Sequence, residues 1–305
     1  MRTESEMFNL ILTIAKEDDR ILAVYMNGSR TNPNAPKDIF RDYDIVYVVK
    51  ETKSFQEDKT WIDQFGQRLF MQYPDEGFFA TDSTEEFYGW LIQFADGNRL
   101  DLHVQTLEAA CRDIKKDTLC EILLDKDGDL PQISESSEQT YWVQKPLEAE
   151  FLAVCNEFWW CLDNVGKGLW REEIPYVQDM INMHVRPQLV RILAWKAGIL
   201  HDFQCSIGKS GKYLYRLLSE TEWKMFLQTY AGYQAEDIWN ATEKMCNLMN
   251  QTARWVAQKL DFHYNKEEAE NCMRYLKYVR MLPKDITYET FEIPDVNLEH
   301  EKDFK

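Results

Sequence analysis

A chain of 305 residues, 45% apolar and 29% charged, is long enough to bury one large core or two modest ones and is ordinary for a soluble globular protein. No run approaches the ~18 apolar residues of a membrane span, and the start, MRTESEMFNL, lacks the basic and apolar regions of a signal peptide. A net charge of −17, from 52 acidic and 35 basic residues, repels nucleic acid and anionic lipid and favours cationic ligands. A cytoplasmic monomer with no nucleic-acid or membrane partner is therefore expected. The seven cysteines are scattered, form no Cys-x-x-Cys pair and have no histidines gathered near them, which argues against zinc and against a disulfide framework.

In chain order, Thr3-x-x-Glu6 fits a capping box ahead of Met7, Leu10, Ile11, Ile14 and Ala15 at helical spacing. A strand-like run, Ile21–Met26, ends at Asn27-Gly28-Ser29, and TNPNAPKD at 31–38 is loop material. Asp44–Val49 reads as a second strand. Tyr88–Ala95 and Arg99–Gln105 flank Asp96-Gly97-Asn98 as a hairpin. After Lys145-Pro146 the texture becomes helical, over 147–165, 172–183, 187–200, 219–230, 235–260 and 266–280, with Pro187 suited to the first turn of the helix it opens. The predicted fold class is α+β. A domain over 1–145 carries a small mixed or antiparallel sheet, an all-helical domain follows over 146–282, and 283–305 form an irregular tail.

Three features of the first domain fall in an order that carries chemistry. A strand runs into Gly28-Ser29-Arg30; Asp42-Tyr43-Asp44 leads into an apolar strand; Asp101 stands between Leu100 and Leu102. Residues two apart on a strand share a face, so Asp42 and Asp44 present adjacent carboxylates, and alternation turns Asp101 away from the face its leucines bury. Adjacent anions repel unless a cation sits between them, and magnesium prefers carboxylate and phosphate oxygen. Three carboxylates holding one or two Mg²⁺ ions suit in-line displacement at phosphorus. Gly28 allows close backbone approach, and the amides and hydroxyl at Ser29 can grip phosphate, with Arg30 adding a charge-assisted contact. His103 shares the face of Asp101 and is read as a supporting or partly exposed residue rather than a ligand.

This ordered set matches the nucleotidyltransferase superfamily pattern, and the wider sequence resembles the aminoglycoside 6-adenylyltransferases, or streptomycin adenylyltransferases, over roughly residues 1–280. The likeness rests on GSR at 28–30, DYDI at 42–45, QFG at 64–66, LDL at 100–102 and LDKD at 124–127. It continues through CNEFW at 155–159, KGL at 167–169, AWKAGI at 194–199 and SIGK at 206–209. The tail does not resemble the family. The resemblance implies transfer of AMP from ATP to a hydroxyl of the streptidine ring of streptomycin, with pyrophosphate released and the nucleotide held in a cleft between two domains. A lysine of the helical domain neutralising the triphosphate is also implied, for which Lys209 and Lys212 are the candidates. Their loop, Ser206–Tyr213, does not fit the P-loop pattern.

Guanidinium groups on such an acceptor call for carboxylates and aromatic faces, for which Glu157 and Asp179 on amphipathic helices are the candidates. Trp159, Trp160 and Trp195 are most simply core. Two other readings stay open: transfer to another small alcohol or to a protein, and a non-catalytic nucleotide-binding protein. The intact set Asp42, Asp44 and Asp101 speaks against the second, because clustered carboxylates are costly to keep.

Overall fold

The computed structural model describes residues 1–80, 85–291 and 293. The chain divides into two compact units, Met1–Thr140 and Tyr141–Lys305.

In the first unit, α1 (Glu4–Glu17) opens on the expected capping box: the Glu6 amide donates to the Thr3 hydroxyl, and the Thr3 amide to the Glu6 carboxylate at 2.7 Å. Strand β1 (Ile21–Asn27) pairs antiparallel with β2 (Tyr43–Val49). After the short helix α2 (Lys53–Glu57) come β3 (Arg68–Gln72), β4 (Phe87–Phe94) and β5 (Arg99–Thr106); α3 (Leu107–Asp113) then leads to β6 (Cys120–Asp125). The sheet order is β3-β4-β5-β2-β1-β6, antiparallel throughout except for the parallel pairing of β2 with β5.

Alternation on β2 decides what each face meets. Tyr43, Ile45, Tyr47 and Val49 are buried in one core with Met7 and Ile11 of α1, Trp61, Phe65 and Trp90. The Tyr47 hydroxyl is anchored on the Ile11 carbonyl at 2.6 Å. On the other face, Val48 joins Ala23, Tyr25 and Ala110 of α3 in a smaller cluster. Each fully buried aliphatic side chain contributes about 1.5–3 kcal/mol, so the two faces hold the strands in a fixed register.

Two strands escape the sequence pattern. β3 lies at the sheet edge with Leu69 and Phe70 exposed, so it lacks the apolar-polar alternation of a half-buried strand. β6, the opposite edge, is mostly half-buried and carries acidic residues at 121 and 125.

The second unit is helical: α4 (Glu148–Arg171), α5 (Ile174–Asp179), α6 (Arg186–Leu200), α7 (Leu214–Leu217), α8 (Glu220–Leu227), α9 (Ala235–Leu260) and α10 (Lys266–Met281). Phe151, Phe158, Leu162, Ile192, Met245 and Met249 lie in its core. Pro187 lies in the first turn of α6, as expected. The chain is helical from α5 into α6 through a π turn, Met180–Val185, just ahead of it. A proline inside a helix lacks an N–H and crowds the carbonyl four residues back, and the wider turn accommodates both. Trp160 was expected in the core but is 70% exposed, whereas Trp159 is buried and Trp195 partly so. Helical spacing sends adjacent tryptophans to different faces.

Beyond α10 the chain has no regular structure through residue 291; of the expected tail, 292 and 294–305 lie outside the described residues. All seven cysteines are free thiols. No described helix is long and apolar enough to cross a membrane.

Candidate active site

The parallel register of β2 and β5 sets Asp44 directly beside Asp101, and Asn27 at the end of β1 beside Asp44 from the other side. Asp42 lies one residue ahead of β2. The carboxylates of Asp42, Asp44 and Asp101 each offer an oxygen within 4.8 Å of the others. Residues about sixty positions apart in the chain thus meet because one parallel pairing brings the starts of two strands together.

Gly28 follows β1 at φ +77°, in the region that favours glycine. A Cβ there would stand 2.1 Å from Asp44 Oδ2, so the backbone approaches the carboxylate as closely as only glycine permits. Gly28–Arg30 form a single 3₁₀ turn. The first amides of such a turn have no partner within it. The Ser29 carbonyl accepts from Arg41 Nη2 at 3.0 Å, and the Ser29 hydroxyl makes no hydrogen bond to the described residues.

Arg30, expected to contact phosphate, has its guanidinium engaged within the protein. It is nearly buried, donates to the carbonyls of Asp42 and Arg41 at 2.9 Å each and to Glu4 at 2.7 Å, and stacks 3.6 Å over the Tyr43 ring. Its planar fork ties the segment carrying Asp42 to α1, which is positioning work.

Sequence reasoning missed Arg99. Its Nε and Nη2 donate to the two oxygens of Asp101 at 2.8 and 2.7 Å, and Nε lies 3.8 Å from Asp42 Oδ2. The signal was present: a cationic residue two positions before Asp101 on the same strand shares its face.

Burial pushes the Asp44 carboxyl up to about 7, with the charges of Asp42 and Asp101 adding to the rise and Arg99 and Arg30 working against it. His103, two residues past Asp101, is held low by burial against the opposing charges of Asp75 and Asp101. Its ring fills the space opposite Gly89, where a Cβ would stand 2.4 Å from Cδ2.

Three clustered carboxylates, one of them raised by burial and by its anionic neighbours, form a hard-oxygen donor set that suits a divalent cation such as magnesium. The close backbone at Gly28 and the free Ser29 hydroxyl are groups that can meet a phosphate.

The residues expected on the second unit lie at its surface. Lys209 is exposed in a short turn where Gly208, Ser210 and Gly211 all have positive φ, and Lys212 lies 5.1 Å from the Tyr213 ring centroid. Glu157 is exposed on α4 and accepts from Cys161 Sγ at 3.3 Å; Asp179 is exposed at the end of α5.

The profile of the streptomycin adenylyltransferase family matches residues 1–279. An aminoglycoside 6-adenylyltransferase of Bacillus subtilis (strain 168) is 36% identical over 265 residues, covering 87% of this chain and 93% of that protein. One of Campylobacter jejuni is 35% identical over 264 residues, covering 87% and 91%. A crystal structure of an aminoglycoside 6-adenyltransferase from Bacillus subtilis aligns over 92% of this chain and 100% of that one, at 30% identity and a TM-score of 0.46.

Proposed function

The chain belongs to the streptomycin adenylyltransferase family, a family of nucleotidyltransferase enzymes, and on that premise we propose that it transfers AMP from MgATP to a hydroxyl of an aminoglycoside, with streptomycin, at the 6-position of its streptidine ring, as the acceptor. The observation that carries the reading is the convergence of Asp42, Asp44 and Asp101 beside the Gly28-Ser29 turn.

Asp42, Asp44 and Asp101 would hold magnesium, which supplies charge neutralisation to the triphosphate and lowers the pKa of the acceptor hydroxyl. The hydroxyl oxygen attacks the α-phosphorus of ATP, the bond from that phosphorus to the bridging oxygen breaks, and pyrophosphate departs with the electron pair. The hydroxyl proton passes to Asp101. Its place on the neighbouring strand β5, apart from Asp44 on β2 and Asp42 just ahead of β2, supports a separate role for it on the acceptor side. The amides from Gly28 on and the Ser29 hydroxyl hold phosphate oxygens. We assign Lys209 and Lys212 to the triphosphate, and Glu157 and Asp179 to the guanidinium groups of the acceptor. The charge of −17 supports a polycationic acceptor, because the field of the whole protein concentrates it. Cytoplasmic location and a monomeric state complete the reading.

The test is incubation with MgATP and either streptomycin or kanamycin, with the mass of each drug measured afterwards. Streptomycin gains one AMP, and kanamycin, which lacks the guanidinylated ring, does not. Equal gain by both removes the streptidine assignment, and no gain by either points to a different acceptor.

A further inference from the structure

We propose that Arg99 is a two-position residue: paired with Asp101 it guards the metal site of the nucleotide-free enzyme, and released from Asp101 it binds the triphosphate of the incoming nucleotide. The inference rests on the nucleotidyltransferase reading above and extends it to a residue outside the carboxylate set.

The geometry carries it. The guanidinium engages both oxygens of Asp101, at 2.8 and 2.7 Å, and comes within 3.8 Å of Asp42. A bidentate fork of this kind occupies the lone pairs that a divalent cation or an acceptor proton would use, and its positive charge repels a metal at the same oxygens. Arg99 and a metal therefore compete for Asp101. A purely stabilising role is a weak explanation. The Arg99 side chain is 48% exposed while that of Asp101 is 14% exposed, and an ion pair open to water on one side contributes little to stability. That exposure also leaves Arg99 room to move. Arg99, Asp101 and His103 alternate onto one face of β5, so a displaced guanidinium stays on the face that holds the carboxylates. A planar cation there, beside a site built for phosphate, matches phosphate oxygens as well as it matches a carboxylate.

The two halves of the proposal predict shifts of opposite sign, which a structural role would not produce. Calorimetric titrations would use the full chain, first Mn²⁺ without nucleotide, then α,β-methylene-ATP at saturating Mg²⁺. Relative to wild type, Arg99→Gln binds Mn²⁺ at least about threefold tighter and the nucleotide analogue at least about tenfold weaker, the scale of one lost charge-assisted contact. Arg99→Lys keeps the charge without the fork; it shows a smaller tightening toward Mn²⁺ and a smaller loss toward the nucleotide than Arg99→Gln, and it carries the test if Arg99→Gln does not fold. Mn²⁺ bound no more tightly than by wild type overturns the competition, and unchanged nucleotide affinity overturns the second position. A wild-type protein that binds neither probe removes the parent reading as well, whereas normal wild-type binding with unshifted variants removes this inference alone.

Discussion

Asp44 and Asp101 are register partners across the parallel pairing of β2 and β5, and the charge of Asp101 adds to the burial that raises the Asp44 carboxyl. At an effective dielectric of ~20, like charges ~4 Å apart repel by about 4 kcal/mol, comparable to burying one or two aliphatic side chains. A site this costly persists only because two apolar faces fix the strands that carry it.

Asp42→Asn and Asp44→Asn should each abolish AMP transfer while the fold stays intact. Each change removes a proposed metal ligand and also a source of repulsion. Far-UV circular dichroism and turnover at saturating Mg²⁺ check both halves; near-normal turnover in either variant would remove that residue from the site.

The raised Asp44 carboxyl makes stability depend on pH with a definite sign. Its folded pKa, about 7, lies above the unfolded carboxylate range, so the folded state binds more protons between the two values. The contribution of Asp44 is most favourable below the unfolded pKa and is lost as pH rises through 7. In chelator, Asp44→Asn should therefore raise Tm at pH 8 by more than at pH 5. An equal or reversed difference would show that burial and the neighbouring carboxylates do not raise Asp44.

Gly28→Ala should nearly abolish turnover and destabilise the first unit by about 1–3 kcal/mol, the scale of a strained positive-φ position with a clash. Both the φ of +77° and the 2.1 Å approach to Asp44 Oδ2 forbid a Cβ. Thermal melts and single-turnover rates measure the two effects. An alanine variant with normal rates would mean that the close approach is not needed.

Away from the site, Asp96 ties the chain terminus to the β4–β5 turn. It accepts from the Arg2 backbone amide at 3.0 Å, from Arg2 Nε at 2.6 Å and from the Asn98 amide nitrogens. Burial opposes its charge, but the Arg2 and Asn98 bonds prevail and hold the carboxyl well below the usual range. Its contribution is present above the unfolded carboxylate pKa and lost only as pH falls through the lower folded value. Asp96→Asn should cost about 1–3 kcal/mol at pH 7, the scale of hydrogen bonds to a charged group, and less at pH 3. Equal losses at both would assign the effect to shape instead of charge.

The site was more legible than its surroundings. Asp42 and Asp44 announce themselves by i, i+2 spacing ahead of an apolar strand, and Asp101 by interrupting one. Their convergence follows from the parallel pairing, a non-local fact that local periodicity does not contain. The edge strands β3 and β6 were hidden for a related reason: an edge buries too little to impose alternation. Arg30 and Arg99 show the same limit for charges. Both stand beside the motif, yet only the three-dimensional contacts separate the arginine that braces the backbone from the one that grips Asp101. In the helical unit, Pro187 marks the first turn of α6, but the π turn just ahead of it has no sequence signature.

The central claim is that these three carboxylates carry AMP from ATP to streptomycin, and label transfer tests it most directly. ATP labelled at the α-phosphate is incubated with Mg²⁺, streptomycin and either wild type or Asp44→Asn. Label should appear on the drug with the wild type, leaving pyrophosphate unlabelled, and none should appear with the variant. Label that never reaches streptomycin, or that reaches it equally fast with Asp44→Asn, would contradict the claim.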